Sequence, residues 1–206
     1  MALFLDSADV ADARRAMELG FVAGITTNPT LIARTGRPAP EVIAALCAVS
    51  KGPVFYQLTT GTEDEARRFH ALAPGRIVLK IPASLSGLRL VATLSGEIPC
   101  AVTAVFSAAQ AYLACQAGAR YVIPYVNRLT RLGGDGIALV RRIAAILGPE
   151  TELLAASLKS PAEAVDALLA GAHHVTVPWK LIEEMAEHRL SALAVEEFAR
   201  AASSSG

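Results

Sequence analysis

Short runs of β-branched and apolar residues recur eight times along this chain, with helix-prone stretches between them. No other property of the sequence restricts the fold as much. The runs are Ala2–Leu5, Ala23–Thr26, Val54–Thr59, Ile77–Ile81, Cys100–Val105, Tyr121–Pro124, Glu152–Ala156 and His174–Val177. The stretches between them are Ala8–Leu19, Pro40–Val49, Glu63–Leu72, Leu88–Leu94, Ala108–Ala117, Gly136–Leu147 and Pro161–Ala170. Helix punctuation agrees. Ser7 or Asp9 can cap the first helix, Ser160 precedes Pro161, and Gly20, Gly118, Gly148 and Gly171 stand where helices should stop. Strands that alternate with helices in this way read as successive βαβ units around a parallel sheet.

Eight such units fit a closed (β/α)8 TIM barrel, and 206 residues leave room only for short loops. Ile77-Val78-Leu79 is apolar at consecutive positions, as expected of a strand covered on both faces. The competing arrangement is a doubly wound open sheet. That fold would gain support from a Gly-rich phosphate loop near the start, and neither G-x-G-x-x-G nor G-x-x-x-x-G-K-[ST] occurs. Gly133-Gly134-Asp135-Gly136 opens a helix late in the chain and lacks the following lysine. No linker divides the sequence, so a single barrel domain over residues 1–206 is expected. A helical extension over about 180–202 should follow the last strand, and Ser203-Ser204-Ser205-Gly206 should fray.

Composition excludes several classes. The 19 basic residues balance the 19 acidic ones, whereas a nucleic-acid partner usually demands a basic face. A chain that is 53% hydrophobic is not disordered. The uncharged stretch from Ile98 to Ala119 is long enough to span a bilayer, but Pro99, Thr103, Ser107, Gln110 and Gln116 interrupt it, so no membrane association is expected. Met1-Ala2-Leu3-Phe4-Leu5-Asp6 lacks the basic start of a signal peptide. Cys47, Cys100 and Cys115 lack metal-ligand spacing and read as buried thiols in a reducing cytoplasm. His70 and His188 fall on expected helix surfaces, and His173-His174 opens the last strand at its N-terminal end, so no metal site is expected. Ser-His-Asp chemistry lacks its G-x-S-x-G elbow.

Barrel chemistry is carried at the C-terminal ends of strands. Those positions hold Asp6, Thr26, Thr27 and Asn28, Gln57 and Thr59, Lys80, Thr103, Tyr125, Asn127 and Arg128, and Ser157 and Lys159. Polar strand ends are ordinary, but Lys80 is not. The chain has four lysines against fifteen arginines, and this one lies inside the apolar run Ile77-Val78-Leu79-Lys80-Ile81-Pro82. It is either a paired or snorkelling lysine or an amine made nucleophilic by desolvation, able to form a Schiff base with a ketone. Tyr125 is either a rim tyrosine or the proton carrier for that imine. Gln57 and Thr103 could hold a water between them for carbinolamine dehydration. Asp6 either binds substrate hydroxyls and relays protons or caps the first helix. Arg128, Ser157 and Lys159 lie where many barrels bind phosphate, or are solvated loop groups. An isomerase using Asp6 as base would need a partner histidine at the strand ends, and none falls there.

The segments Phe4-Leu5-Asp6-Ser7, Gly24-Ile25-Thr26-Thr27-Asn28-Pro29-Thr30, Ile77-Val78-Leu79-Lys80-Ile81-Pro82, Thr103-Ala104-Val105-Phe106-Ser107 with Gln110-Ala111, Tyr121-Val122-Ile123-Pro124-Tyr125-Val126-Asn127-Arg128 and Leu154-Ala155-Ala156-Ser157-Leu158-Lys159 occur in this order over nearly the whole chain. In them the sequence resembles the small transaldolase family, specifically its fructose-6-phosphate aldolase-like branch. The resemblance implies a class I aldolase with its Schiff-base lysine at Lys80 and no cofactor beyond that covalent bond. It also implies a dihydroxyacetone donor held by Asp6 and Asn28, and a phosphate of fructose 6-phosphate or glyceraldehyde 3-phosphate held by Arg128 and Ser157. Rings of five stacked as homodecamers are implied too, with the apolar Leu190–Phe198 stretch reaching onto a neighbour. Transaldolases of this family resemble one another in having glutamate where this chain has Gln57 and phenylalanine where it has Tyr125; the glutamine–tyrosine pair is aldolase-like. Thr130, Leu158 and Ile123 depart from the family pattern, and those changes bear on substrate size and phosphate preference. Transfer of a dihydroxyacetone unit between sugar phosphates is the alternative activity, and a non-catalytic sugar-phosphate-binding barrel is the other.

Overall fold

In a computed structural model, which describes residues 1–203, eight parallel strands close on themselves in chain order, and the first pairs with the last. They are β1 (Ala2–Asp6), β2 (Val22–Thr26), β3 (Val54–Gln57), β4 (Ile77–Pro82), β5 (Cys100–Val105), β6 (Tyr121–Pro124), β7 (Glu152–Ala155) and β8 (His174–Val177). Around them run α1 (Val10–Glu18), α2 (Pro29–Arg34), α3 (Ala39–Val49), α4 (Glu63–His70), α5 (Leu85–Leu94), α6 (Ala108–Gln116), α7 (Val126–Arg131), α8 (Gly136–Ala144), α9 (Pro161–Leu169), α10 (Trp179–Ala186) and α11 (Arg189–Ser203). The uncharged Ile98–Ala119 stretch resolves into β5 and α6. Among the described residues no helix is long and apolar enough to cross a membrane.

Side chains alternate along a strand, so each barrel strand feeds two separate cores. Leu5, Ile25, Val54, Ile77, Leu79, Val102, Val122, Leu153 and Val175 face outward and pack with the helices. Phe4, Phe55, Val78, Ala101, Tyr121, Ile123, Leu154 and Ala156 face inward and fill the barrel. The inner set is built on edge-to-face aromatic contacts: Phe4 meets Phe55 at 5.5 Å between centroids, and Phe55 meets Tyr121 at 5.1 Å. His174 packs on Phe4 at the N-terminal end of the barrel, and its Nε2 lies 2.8 Å from a Glu152 oxygen. This plug decides where a ligand can sit. Two residues further along the strands, on the same inward face, come Asp6, Gln57, Lys80 and Thr176.

Several local expectations require correction. Asp9 caps α1, its Oδ1 accepting from the Ala11 amide at 2.7 Å, while Ser7 Oγ accepts from the Asp9 amide one step earlier. Gly20, Gly118 and Gly171 take left-handed backbone at the helix ends. Gly148 does not, because α8 has already ended at Ala144. β3 stops at Gln57 and not at Thr59. The tail beyond β8 is two helices. α10 buries Leu181 and Ile182 against the barrel, and only α11 is additional, with no buried residue of its own. Residues 204–206, most of the expected frayed end, lie outside the described residues. Cys47 and Cys100 are buried, and burial pushes the Cys100 thiol up to about 12, but Cys115 is half-buried. His70 is half-buried as well and not on an open surface.

The six-residue helices α2 and α7 carry side chains to the mouth. Asn28 caps α2 through Oδ1, which accepts from the Leu31 amide at 3.0 Å, and Pro29 supplies the fixed first position. α7 lies against the start of α8, where Asp135 caps and Gly136 is obligatory, because a Cβ there would overlap the Val126 carbonyl oxygen.

Candidate active site

A cavity of about 410 Å³ opens at the C-terminal end of the barrel. Its walls include Asp6, Asn28, Gln57, Lys80, Tyr125, Arg128, Ser157 and Lys159, which are eight of the nine residues singled out in the sequence. The ninth, Thr103, is fully buried and stands behind the wall: its hydroxyl donates to the Tyr125 phenol oxygen at 3.3 Å. Tyr125 is thus the side-chain partner of Thr103.

Lys80 is 3% exposed and sits directly above the Val78 layer of the plug. Its Nζ donates to the Thr27 carbonyl oxygen at 2.7 Å. Burial pulls the amine well below the ordinary lysine value, and the Asp6 carboxylate pulls the other way. The amine does not snorkel to solvent, because Lys80 is buried, and no salt bridge to it is found among the described residues. Asp6 does not cap α1. One of its oxygens accepts from the Thr26 hydroxyl at 2.9 Å, and Thr26 in turn lies 2.6 Å from the Thr176 hydroxyl. Thr26 has a single proton and gives it to the carboxylate, so Thr176 is the donor in the second contact.

Gln57 and Lys80 are register partners on β3 and β4. Gln57 lines the cavity, and its Oε1 is buried without a protein partner, an acceptor whose hydrogen-bonding capacity is unused. The Asn28 Oδ1 is occupied by the helix cap, so its contribution to a ligand is the Nδ2 donor.

The mouth is cationic. Arg128, Lys159 and Arg34 line it without ion-pair partners among the described residues, and Asp6 is the one carboxylate in the wall. The Arg128 guanidinium lies over the Tyr125 ring, 4.9 Å from its centroid. Ser157 holds left-handed backbone at φ +60°, and Ala104, beside Thr103 where β5 loses register with β6, does so at φ +56°. Non-glycine residues rarely sit there; Ser157 is part of the cavity wall, and Ala104 adjoins Thr103 behind it.

Sequence reasoning missed Arg34 and Thr176 in the wall and two carboxylates behind it. Arg34 ends α2, and Asn28-Pro29 carried the signal for the start of that helix. The carboxylates are Glu65 and Glu163, each three residues after a capping hydroxyl, Thr62 and Ser160. Glu163 accepts from the Asn127 side-chain amide at 2.6 Å and from the Lys159 backbone amide at 2.7 Å, and so ties α7 to the loop after β7.

Fold and cavity together define a (β/α)8 barrel with a desolvated amine at the C-terminal ends of its strands. A family model described as Transaldolase/Fructose-6-phosphate aldolase matches residues 3–205, and the chain belongs to that family. Relatives called "Probable transaldolase" include one from Agathobacter rectalis, 41% identical over 208 residues, which span 96% of this chain and 95% of that protein. Another, from Caldicellulosiruptor saccharolyticus, is 40% identical over 207 residues, covering 96% and 95%. Among solved structures, inosine 5' monophosphate dehydrogenase from Legionella pneumophila superposes with a TM-score of 0.65 at 16% identity. That match covers 88% of this chain and 58% of the dehydrogenase, and it speaks for the barrel alone.

Proposed function

We propose that the protein is a class I aldolase that cleaves and forms the bond between a dihydroxyacetone-type donor and an aldehyde such as glyceraldehyde 3-phosphate. The observation that carries this reading is the buried, unpaired Lys80 amine at the floor of a polar cavity. A neutral amine holds the lone pair that attacks a ketone, and desolvation favours that state.

In the proposed cycle the Lys80 nitrogen adds to C2 of the ketose, and loss of water leaves a protonated imine. Removal of the C4 hydroxyl proton then breaks the C3–C4 bond. The aldehyde departs, and the bonding pair passes into the imine to give an enamine. Protonation at C3 and addition of water release dihydroxyacetone and return the amine. Tyr125, oriented by Thr103, carries the proton; Gln57 Oε1 accepts from the water; Asp6 and Asn28 hold the donor's hydroxyls. Arg128, Ser157 and Lys159 take the phosphate, which accords with a mouth lined by unpaired cations. No external cofactor enters any step.

The test is borohydride reduction in the presence of fructose 6-phosphate, with the modified peptide read by mass. An adduct on Lys80 is the expected result, and a folded, active protein with Lys80 unmodified sinks the mechanism. The names of the relatives favour a second reading, transfer of the dihydroxyacetone unit to an acceptor sugar phosphate. Tyr125 and Gln57 favour cleavage, because a phenol at the imine can protonate the enamine without an acceptor. Free dihydroxyacetone formed without erythrose 4-phosphate decides for the aldolase. Ligand-induced thermal stabilisation that survives Lys80→Met, with no turnover in the parent, would indicate a sugar-phosphate-binding barrel. The reading extends to assembly: α11 leaves Leu190, Leu193, Val195 and Phe198 exposed, which supports a homo-oligomer that covers them. Sedimentation analysis gives the number of copies.

A further inference from the structure

Glu65 is a carboxylate that no step above uses, and it is 5% exposed. It stands in the first turn of α4, three residues after the Thr62 cap, where a glutamate ordinarily reaches back to the capping residue. Here it reaches further. Its two oxygens accept from six groups: the Tyr56 hydroxyl, the backbone amides of Thr59, Thr60 and Gly61, and the hydroxyls of Thr59 and Thr60. Burial opposes the charge, but this set of donors, led by the Thr59 amide, holds the carboxyl down at about 2.

The segment gripped in this way starts two residues after Gln57, at the point where β3 ends. Before the turn the chain is fixed by strand pairing, Tyr56 with Leu79 and Gln57 with Lys80, and the Leu58 amide donates to the Lys80 carbonyl at 3.0 Å. Backbone held at both ends leaves the side chain little freedom to wander, and the Gln57 Oε1 is the buried acceptor that has no protein partner. Imine formation at Lys80 expels one water, and imine hydrolysis takes one back. An acceptor beside the amine directs that water only if it is held to a fraction of an ångström.

We propose that Glu65 is a positioning residue that acts through the Thr59–Gly61 turn to fix Gln57 Oε1 against the water exchanged at Lys80. The inference rests on the Schiff-base reading above. The three backbone amides that face it can only donate, so they require acceptor oxygens. A glutamine at this position keeps one such oxygen and turns its NH2 toward groups that now donate, so contacts to the turn are lost.

The experiment is a double-mutant cycle on the intact protein between Glu65→Gln and Gln57→Ala, with fructose 6-phosphate as substrate and borohydride trapping of the parent alongside. Glu65→Gln should lower kcat tenfold or more and change KM less than threefold. Added to Gln57→Ala, it should lower kcat no more than a further twofold, because the group it positions is already gone. Amide exchange across residues 58–61 should quicken at least tenfold. Thr60→Val, which removes a single donor from an exposed residue, keeps the inference testable if Glu65→Gln folds poorly. Its smaller loss in kcat should likewise vanish in the Gln57→Ala background. Losses that multiply, or a Glu65→Gln enzyme within twofold of the parent, overturn the inference while leaving the trapped adduct intact. A parent without a Lys80 adduct removes the Schiff-base reading and the inference with it.

Discussion

Lys80 Nζ lies 2.7 Å from the carbonyl oxygen of Thr27, a neutral acceptor that serves the amine whether or not it is protonated. The contact orients the nitrogen without fixing its charge, and burial then favours the neutral form. The sign of the pH dependence follows. Between the lowered folded value and the ordinary 10.5, the unfolded chain binds a proton that the folded chain does not. Folding stability therefore rises with pH through that window, with a slope of up to about 1.4 kcal/mol per pH unit. Lys80→Met lacks this contribution. Urea unfolding at pH 7, 8.5 and 10 should show the parent gaining on the variant as pH rises, and a constant difference would mean that the amine is charged in the fold.

In the proposed cycle Tyr125 carries the proton, and the Thr103 hydroxyl donates to its phenol oxygen. Tyr125→Phe should lower acceptor-free release of dihydroxyacetone by roughly a hundredfold, the usual scale of a general acid–base contribution. Transfer to an added aldose phosphate should fall far less, because the acceptor itself consumes the enamine. The ratio of the two rates, measured under one set of conditions, is the readout. Equal losses in both would move Tyr125 from proton transfer to simple packing.

Two left-handed residues flank the cavity at Ala104 and Ser157. Relief of that strain by glycine is worth up to ~1 kcal/mol after the added freedom of the unfolded chain is subtracted. Ala104→Gly should therefore raise the unfolding midpoint. Ser157→Gly should raise it too, yet lower kcat/KM for fructose 6-phosphate more than for a donor–acceptor pair without phosphate. An equal loss for both pairs would remove Ser157 from phosphate recognition.

Glu65 titrates from about 4.5 in the unfolded chain to about 2 in the fold, so its contribution is present above pH 4.5 and is lost as pH falls toward 2. The shift corresponds to about 3 kcal/mol. Glu65→Gln should be less stable at pH 7 by a similar amount and show a flatter acid limb in thermal melts at pH 2–6. A parallel acid limb in the variant would assign the transition to other carboxylates.

The eight strands were legible because an apolar run of four to six residues has no other economical place in a chain of this length. Lys80 was legible for a related reason, since a charge within such a run must be accounted for. α2 and α7 were not, because six residues give too few turns for periodicity to appear, although Asn28-Pro29 carried the cap. Arg34 was lost with them, since an arginine at the end of an unseen helix looks like any other arginine. Thr103 was read from its strand-end position alone as a holder of water with Gln57. Its contact with Tyr125 depends on where that ring falls, which strand periodicity does not encode. Glu65 and Glu163 carry the Thr-x-x-Glu and Ser-x-x-Glu signature of a helix start. That pattern says where a helix begins and is silent on which loop the carboxylate grips.

The aromatic plug of Phe4, Phe55 and Tyr121 makes the barrel a cul-de-sac. Whatever reaches Lys80 must come and go by one doorway, so two fragments in the cavity cannot pass each other. In the proposed cycle the piece bonded to Lys80 lies at the blind end, and the piece split from it lies nearer the door. First to enter is last to leave. In such an arrangement the order of product release is imposed by topology, before any difference in affinity has a say.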